Sequence, residues 1–242
     1  MAQRLALLML LLLAACASPD EPAQPLPQPT AWKAVLIAGD NAEPAFDNAV
    51  DAMTEKLENY GLRAQDIIAL KASASGGLKA NPGNIQKAFS SLASAPSNGC
   101  FVFITSHGVP RRGLFMEAVE GTLSPRELDR LLDRGCGDKP TVVIASGCFS
   151  GIFASGWSMP APNRTILTAA QSDRTSFGCN ARRRYTVFDE CVLESLEPHQ
   201  PWKLVMERVR ACVSRSEHEM NFTPPSNPQI YIGRNVEALT TF

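Results

Sequence analysis

Two stretches decide the fold: Cys100–Gly108, CFVFITSHG, and Thr141–Gly151, TVVIASGCFSG. Each opens as an apolar run of strand length. A run without polar alternation suits a strand covered on both faces, as in a parallel sheet. Cys100–Ser106 reads as one such strand and delivers His107 and Gly108 at its C-terminal end. Thr141–Ser146 reads as another and delivers Gly147 and Cys148 at the equivalent place. As parallel neighbours they bring an imidazole and a thiol to one sheet edge, where open α/β sheets build their sites. A thiol beside an imidazole is the minimum machinery for covalent cysteine catalysis.

Working outward, further strands are expected at Ala34–Ala38, Asp66–Leu70, Thr165–Ala169 and Gln229–Ile232. Pro44–Asn59 is expected as a crossover helix with Val50, Met53 and Leu57 on one face. Ser124-Pro125-Arg126-Glu127 is a capping box with proline at the first helical position. It opens a helix that turns Leu128, Leu131 and Leu132 inward and ends near Gly135. Trp202, Val205, Met206, Val209 and Cys212 recur at helical spacing, as a core stripe does. Strands alternating with helices imply one α/β domain with a mostly parallel sheet. Ala72–Gly83 is a Gly/Ser/Ala loop without the Gly-Lys-Ser/Thr ending of a phosphate cradle, hence a plain connection.

Residues 1–15 carry Arg4, then the apolar Leu5–Leu13, then small residues before Cys16. That is a secretory signal, too short for a spanning helix. Leu13-Ala14-Ala15-Cys16 resembles a bacterial lipobox, which implies lipidation of Cys16. The alternative is an ordinary signal peptide with Cys16 unmodified. Residues 16–31 form a tether with prolines at 19, 22, 25, 27 and 29, extended and semi-rigid. Residues 32–242, about 210 in all, are enough for one well-packed domain. The expected location is the bacterial cell envelope, lipid-anchored; Ala17 after the lipidated cysteine points to the outer membrane, facing the periplasm.

The 242 residues hold 23 Lys+Arg against 24 Asp+Glu with no basic block, so nothing points to nucleic acid. No Cys-x-x-Cys or clustered Cys/His spacing exists, so neither a metal nor an organic cofactor is implied. With Cys16 and Cys148 set aside, cysteines 100, 136, 179, 191 and 212 remain. Cys100–Cys136 is the first expected bridge, at the sheet edge opposite the site; a second would pair two of 179, 191 and 212.

Taken alone, Cys148 is compatible with a small buried apolar residue at a strand end. As a nucleophile it would sit between Gly147 and Gly151, with a following helix N-terminus lowering its pKa. His107 is one of three histidines; 199 and 218 lie in polar or Pro-interrupted surroundings. Gly108 leaves its N–H open to act as an oxyanion donor. Gly147 and Gly151 centre Phe149 rather than Cys148, which excludes the G-x-Nu-x-G hydrolase elbow.

FVFITSHG, then SPRELDRLL, then VVIASGCFSG resembles the caspase-like cysteine peptidases, most closely the legumain-like peptidase family C13. VLIAGDN resembles the family's first strand and turn, and TAAQSDRTSFGC its segment after the nucleophile. The resemblance implies a caspase-like three-layer fold. It also implies a peptide or protein substrate, cleaved through a thioester acyl-enzyme that water or an amine resolves. Carried over, His107 is the general base, Cys148 the nucleophile, and the N–H groups of Gly108 and Cys148 the oxyanion hole. The family's orienting asparagine falls on Ala45, with Asn41 and Asn48 nearby; a backbone carbonyl orienting His107 is the alternative. The family's Arg-His pocket pair falls on Asp47 and Asn48, and later pocket positions on Ser176 and Asp189. Two carboxylates there would favour a basic side chain at the cleavage site. Two alternatives stay open: a non-catalytic peptide-binding lipoprotein, and a thiol amidase or acyltransferase with a non-protein substrate.

Overall fold

The computed structural model describes residues 24–73, 77–94, 96–178 and 183–242. Cys16 and Cys179 lie outside the described residues. The elements, in order, are β1 Trp32–Ala38, α1 Pro44–Asn59, β2 Ile67–Lys71, β3 Leu78–Lys79, α2 Pro82–Leu92, β4 Gly99–Thr105, β5 Gly108–Val109, β6 Gly113–Met116 and β7 Gly121–Leu123. They continue with α3 Pro125–Gly135, β8 Thr141–Ser146, β9 Arg164–Thr168, α4 Val187–Ser195, α5 Trp202–Glu219 and β10 Gln229–Ile232.

Seven strands form one sheet in the order β10-β9-β8-β4-β1-β2-β3, parallel except for β10, which runs antiparallel to β9 at one edge. Strand alternation sends successive side chains to opposite faces. Ala34, Leu36, Phe103 and Ile144 therefore join α1, α4 and α5 in one apolar cluster. Val35, Ile37, Val102 and Val143 join α2 and α3 in the other. This is the expected three-layer α/β architecture, and β4 and β8 run side by side at its centre.

Helix starts follow local chemistry. Ser124 and Glu127 complete the expected capping box on α3, while Asn81 caps α2 and Thr186 caps α4 through side-chain oxygens. On the far side of α3, Arg164 is almost fully buried and is neutralised by Asp129 and Asp133, each at 2.6 Å. The expected Cys100–Cys136 bridge ties the start of β4 to the end of α3, and Cys191–Cys212 joins α4 to α5. Ala72–Gly83, expected as a plain loop, instead contains the short edge strand β3 at Leu78–Lys79 and the start of α2 at Pro82. Two further differences from expectation lie near the site. A small antiparallel sheet, β5-β6-β7, follows His107 in a stretch for which the sequence reading expected no strand. After Cys148 comes a four-residue 3-10 turn, Ser150–Phe153, in place of a helix.

Candidate active site

The register of the parallel strands builds the site. Ala38 pairs with Thr105, and Thr105 pairs with Ser146. Two residues beyond each lie Asp40, His107 and Cys148, one from each of three adjacent strands. The two-residue step keeps each of them on the α1/α4/α5 face of the sheet. His107 and Cys148 line one narrow cleft together with Phe46, Ser146, Gly147, Ser176, Phe177 and Thr186. Phe46 of α1 meets the imidazole edge to face at 5.1 Å.

Gly108 is where the two halves of the site meet. A Cβ added there would stand 1.7 Å from the carbonyl oxygen of Cys148 and 2.8 Å from its nitrogen. Only glycine allows that approach. Phe115 donates its N–H to the His107 carbonyl, so 107 and 115 form the hydrogen-bonded pair of the β5–β6 ladder. Gly108 and Leu114 are then the non-hydrogen-bonded pair, and the Gly108 N–H points away from β6. The backbone nitrogens of Gly108 and Cys148 thus lie close together at the two strand ends.

The Cys148 thiol donates to the Ser176 carbonyl at 3.2 Å. Burial raises its pKa above the ordinary thiol value, and backbone groups of Ser176 and of Cys148 itself pull the other way without overcoming it. This reverses the lowered pKa expected from a following helix. The short 3-10 turn, entered through Phe149 in the left-handed region at φ 58°, supplies no helix dipole of consequence.

The remaining sequence candidates separate. Ser176 lines the cleft. Asp189 is fully buried in the first turn of α4, where the Thr105 hydroxyl donates to its Oδ2 at 2.7 Å. Desolvation raises its pKa, opposed by the hydroxyls of Ser146, Thr105 and Thr186, and its Oδ1 has no hydrogen-bond partner. Thr105 and Ser146 each precede a site residue by two positions, so Asp189 lies one pleat, about 7 Å, behind His107 and Cys148. Asp47 does not reach the cleft. Its carboxylate accepts the N–H groups of Ala72 and Ser73 and the Ser73 hydroxyl, which fastens α1 to the loop after β2. Asn48 donates to the Arg184 carbonyl at 3.1 Å and Asn41 is exposed; neither meets His107.

Asp40 is the residue that sequence reading passed over. It is buried, and its Oδ2 lies 4.0 Å from Nε2 of His107. The signal was present in the equal two-residue offsets beyond β1, β4 and β8, which become visible only once the strand order is known.

The sequence pattern of the peptidase C13 family matches residues 78–236. The chain belongs to the peptidase C13 family. Among solved structures it is similar to the crystal structure of caspase-1 from Spodoptera frugiperda. That likeness has a TM-score of 0.61 at 13% identity, over 89% of this chain and 92% of that one. At that identity the likeness shows the fold, which is caspase-like. No curated protein matches the chain. Family and fold together support a cysteine peptidase.

Proposed function

We propose that this protein is a cysteine endopeptidase in which His107 and Cys148 act as a dyad on exported protein or peptide substrates. The observation that carries it is the joint geometry at Gly108: imidazole, thiol and two backbone donors meet at adjacent strand ends. His107 takes the thiol proton, and the Cys148 sulfur attacks the scissile carbonyl. The Gly108 and Cys148 N–H groups receive the oxyanion, and the imidazolium protonates the leaving amine. Water resolves the thioester; an amine acceptor in its place gives transpeptidation.

Asp189 supports a preference for lysine or arginine at the cleavage site. Its buried carboxyl has one oxygen unpaired; it does not line the cleft, so the preference requires the cleft to open toward it when such a side chain enters. Asp47 plays no part in that pocket. Fluorogenic peptides differing only in this residue test the reading. Lys and Arg substrates should turn over fastest, with all turnover lost in Cys148→Ala. Faster cleavage after Asn or Asp would end the basic preference while leaving the peptidase intact.

The raised thiol pKa favours one second reading, a peptide-binding module without turnover. Cys148 would then resist stoichiometric alkylation by iodoacetamide at neutral pH. Anchoring rests on Leu13–Cys16 and the proline tether: we infer a lipid on Cys16 holding one domain, residues 32–242, at the periplasmic side of the outer membrane. Among the described residues no helix is long and apolar enough to cross a membrane. Mass spectrometry of the mature N-terminus decides this, since an unmodified Cys16 removes the anchor.

A further inference from the structure

We propose that Asp40 is the positioning residue for His107, in a Cys148–His107–Asp40 arrangement built from the ends of three adjacent strands; this rests on the dyad proposed above. Geometry is the first argument. Strands β8, β4 and β1 are consecutive in the sheet, and each delivers its residue two positions past a mutually paired set. Strands lie about 4.8 Å apart, so the three side chains form a row in the order thiol, imidazole, carboxylate.

The second argument is that Asp40 is held in place. Its Oδ1 accepts the Ala42 N–H at 2.9 Å, closing a local turn of the kind Asx side chains make. The preceding Gly39 donates to the Thr105 carbonyl and accepts the Glu117 N–H, which clamps the turn between β4 and β6. A Cβ at Gly39 would stand 2.4 Å from the Phe115 carbonyl, so the clamp closes only over glycine. With Oδ1 occupied, Oδ2 is left facing Nε2 of His107 at 4.0 Å.

The third argument is chemical. The Cys148 thiol is made reluctant to ionise by burial, so forming thiolate depends on the imidazole accepting its proton. A carboxylate on the Nε2 side stabilises the imidazolium and keeps the other ring nitrogen turned to the thiol, the role that an acid plays behind a catalytic histidine. The separation is that of an ion pair; catalytic contacts of this kind tighten when substrate binds. None of the asparagines near the family's helper position meets His107, so Asp40 takes a role they leave empty.

Other titratable groups lie on the elements around this pair. They are Cys148 after β8, Asp189 in α4, Glu43 on the same turn, Asp47 in α1, Glu117 after β6 and Arg174 after β9. Glu43 and Glu117 each bury an unpaired carboxylate oxygen. All of them stay constant in the decisive variant, Asp40→Asn, which keeps the Ala42 hydrogen bond and removes only the charge.

In Asp40→Asn, kcat should fall about 10- to 100-fold with KM little changed. The NMR titration midpoint of the His107 ring, identified by comparison with His107→Gln, should move to lower pH. Asp40→Ser, which also keeps an acceptor for Ala42, should match it, whereas Asp40→Glu should recover part of the rate. An unchanged His107 midpoint in a folded Asp40→Asn protein overturns the proposal, and so does kcat within twofold of wild type. A wild type without turnover or alkylation sinks the peptidase reading instead, and the ring titration still decides whether Asp40 acts on His107.

Discussion

Gly108→Ala is the sharpest single perturbation of the site. The added methyl would be placed 1.7 Å from the Cys148 carbonyl oxygen, which must retreat by roughly 1 Å or more to reach any tolerable contact. No flexible side chain is available to yield; the colliding atoms are backbone on the very residue that carries the thiol. Displacing reacting groups by about 1 Å costs on the order of 100-fold in rate, and losing an oxyanion donor costs about 100- to 1000-fold. We therefore expect kcat/KM to fall at least about 100-fold. Overpacking at such a contact costs about 1–3 kcal/mol, so the domain should stay folded with its Tm lowered by a few degrees. Gly83→Ala is the comparison. Gly83 lies in α2, where an added Cβ meets only the Asn81 side chain at 3.5 Å, and alanine there should stabilise slightly and leave turnover unchanged. The assay is turnover of the preferred fluorogenic peptide alongside thermal unfolding. Gly108→Ala retaining kcat/KM within threefold of wild type would refute the argument that the two strand ends meet at this glycine.

Two more predictions concern groups around the site. The Asp189 carboxyl has a raised pKa in the fold, so the folded state holds its proton more tightly than the unfolded chain does. Its contribution to stability is full below the ordinary aspartate value of 3.8 and is lost as pH rises through the folded value. In Asp189→Asn, the fall in urea midpoint as pH rises above 3.8 should shrink, while kcat/KM for Lys and Arg peptides drops about 100-fold or more; an unchanged stability profile would show that the carboxyl is not desolvated. Reduction of the two disulfides, which close spans of 36 and 21 residues, should cost about 3–4 kcal/mol each by loop-closure entropy. A Tm that stays put after all four thiols react would contradict this.

How legible all this was follows from the range of the interactions involved. Val102, Phe103, Val143 and Ile144 are covered on both faces, so an unbroken apolar run marks their strands without knowledge of neighbours. The Ser124–Glu127 cap and the Pro44 start of α1 are equally local, and the positions of those helices were readable. The β5-β6-β7 sheet was not, because strands of two to four residues are set by pairing partners rather than by composition. The environment of Cys148 was misread for a related reason. Glycines after the thiol fit either a helix start or a 3-10 turn, and only the packing of Gly151 against Gln171 and Ser172 decides between them. Asp40 was invisible because its relation to His107 depends on β1 lying next to β4, a fact of strand order.

That same strand order explains why the chemistry sits where it does. A carboxylate, an imidazole and a thiol stand two residues past the ends of central, fully covered strands, so β-register brings them level and the short turns that follow hold them. Three of the six buried side-chain atoms without a hydrogen-bond partner among the described residues are carboxylate oxygens in this region: Oδ1 of Asp189 and one oxygen on each of Glu43 and Glu117. A buried unpaired acceptor costs about 1–3 kcal/mol, which a stability-driven sequence would remove by substituting an apolar side chain. Retaining a desolvated carboxyl one pleat behind the dyad makes physical sense if an incoming cationic side chain pairs with it. Pairing would then favour the ionised carboxylate, so substrate binding should release a proton and tighten as pH rises through the folded pKa of Asp189. A Lys or Arg peptide whose KM is independent of pH over that range, with Asp189 present, would break this link between the strained group and the substrate.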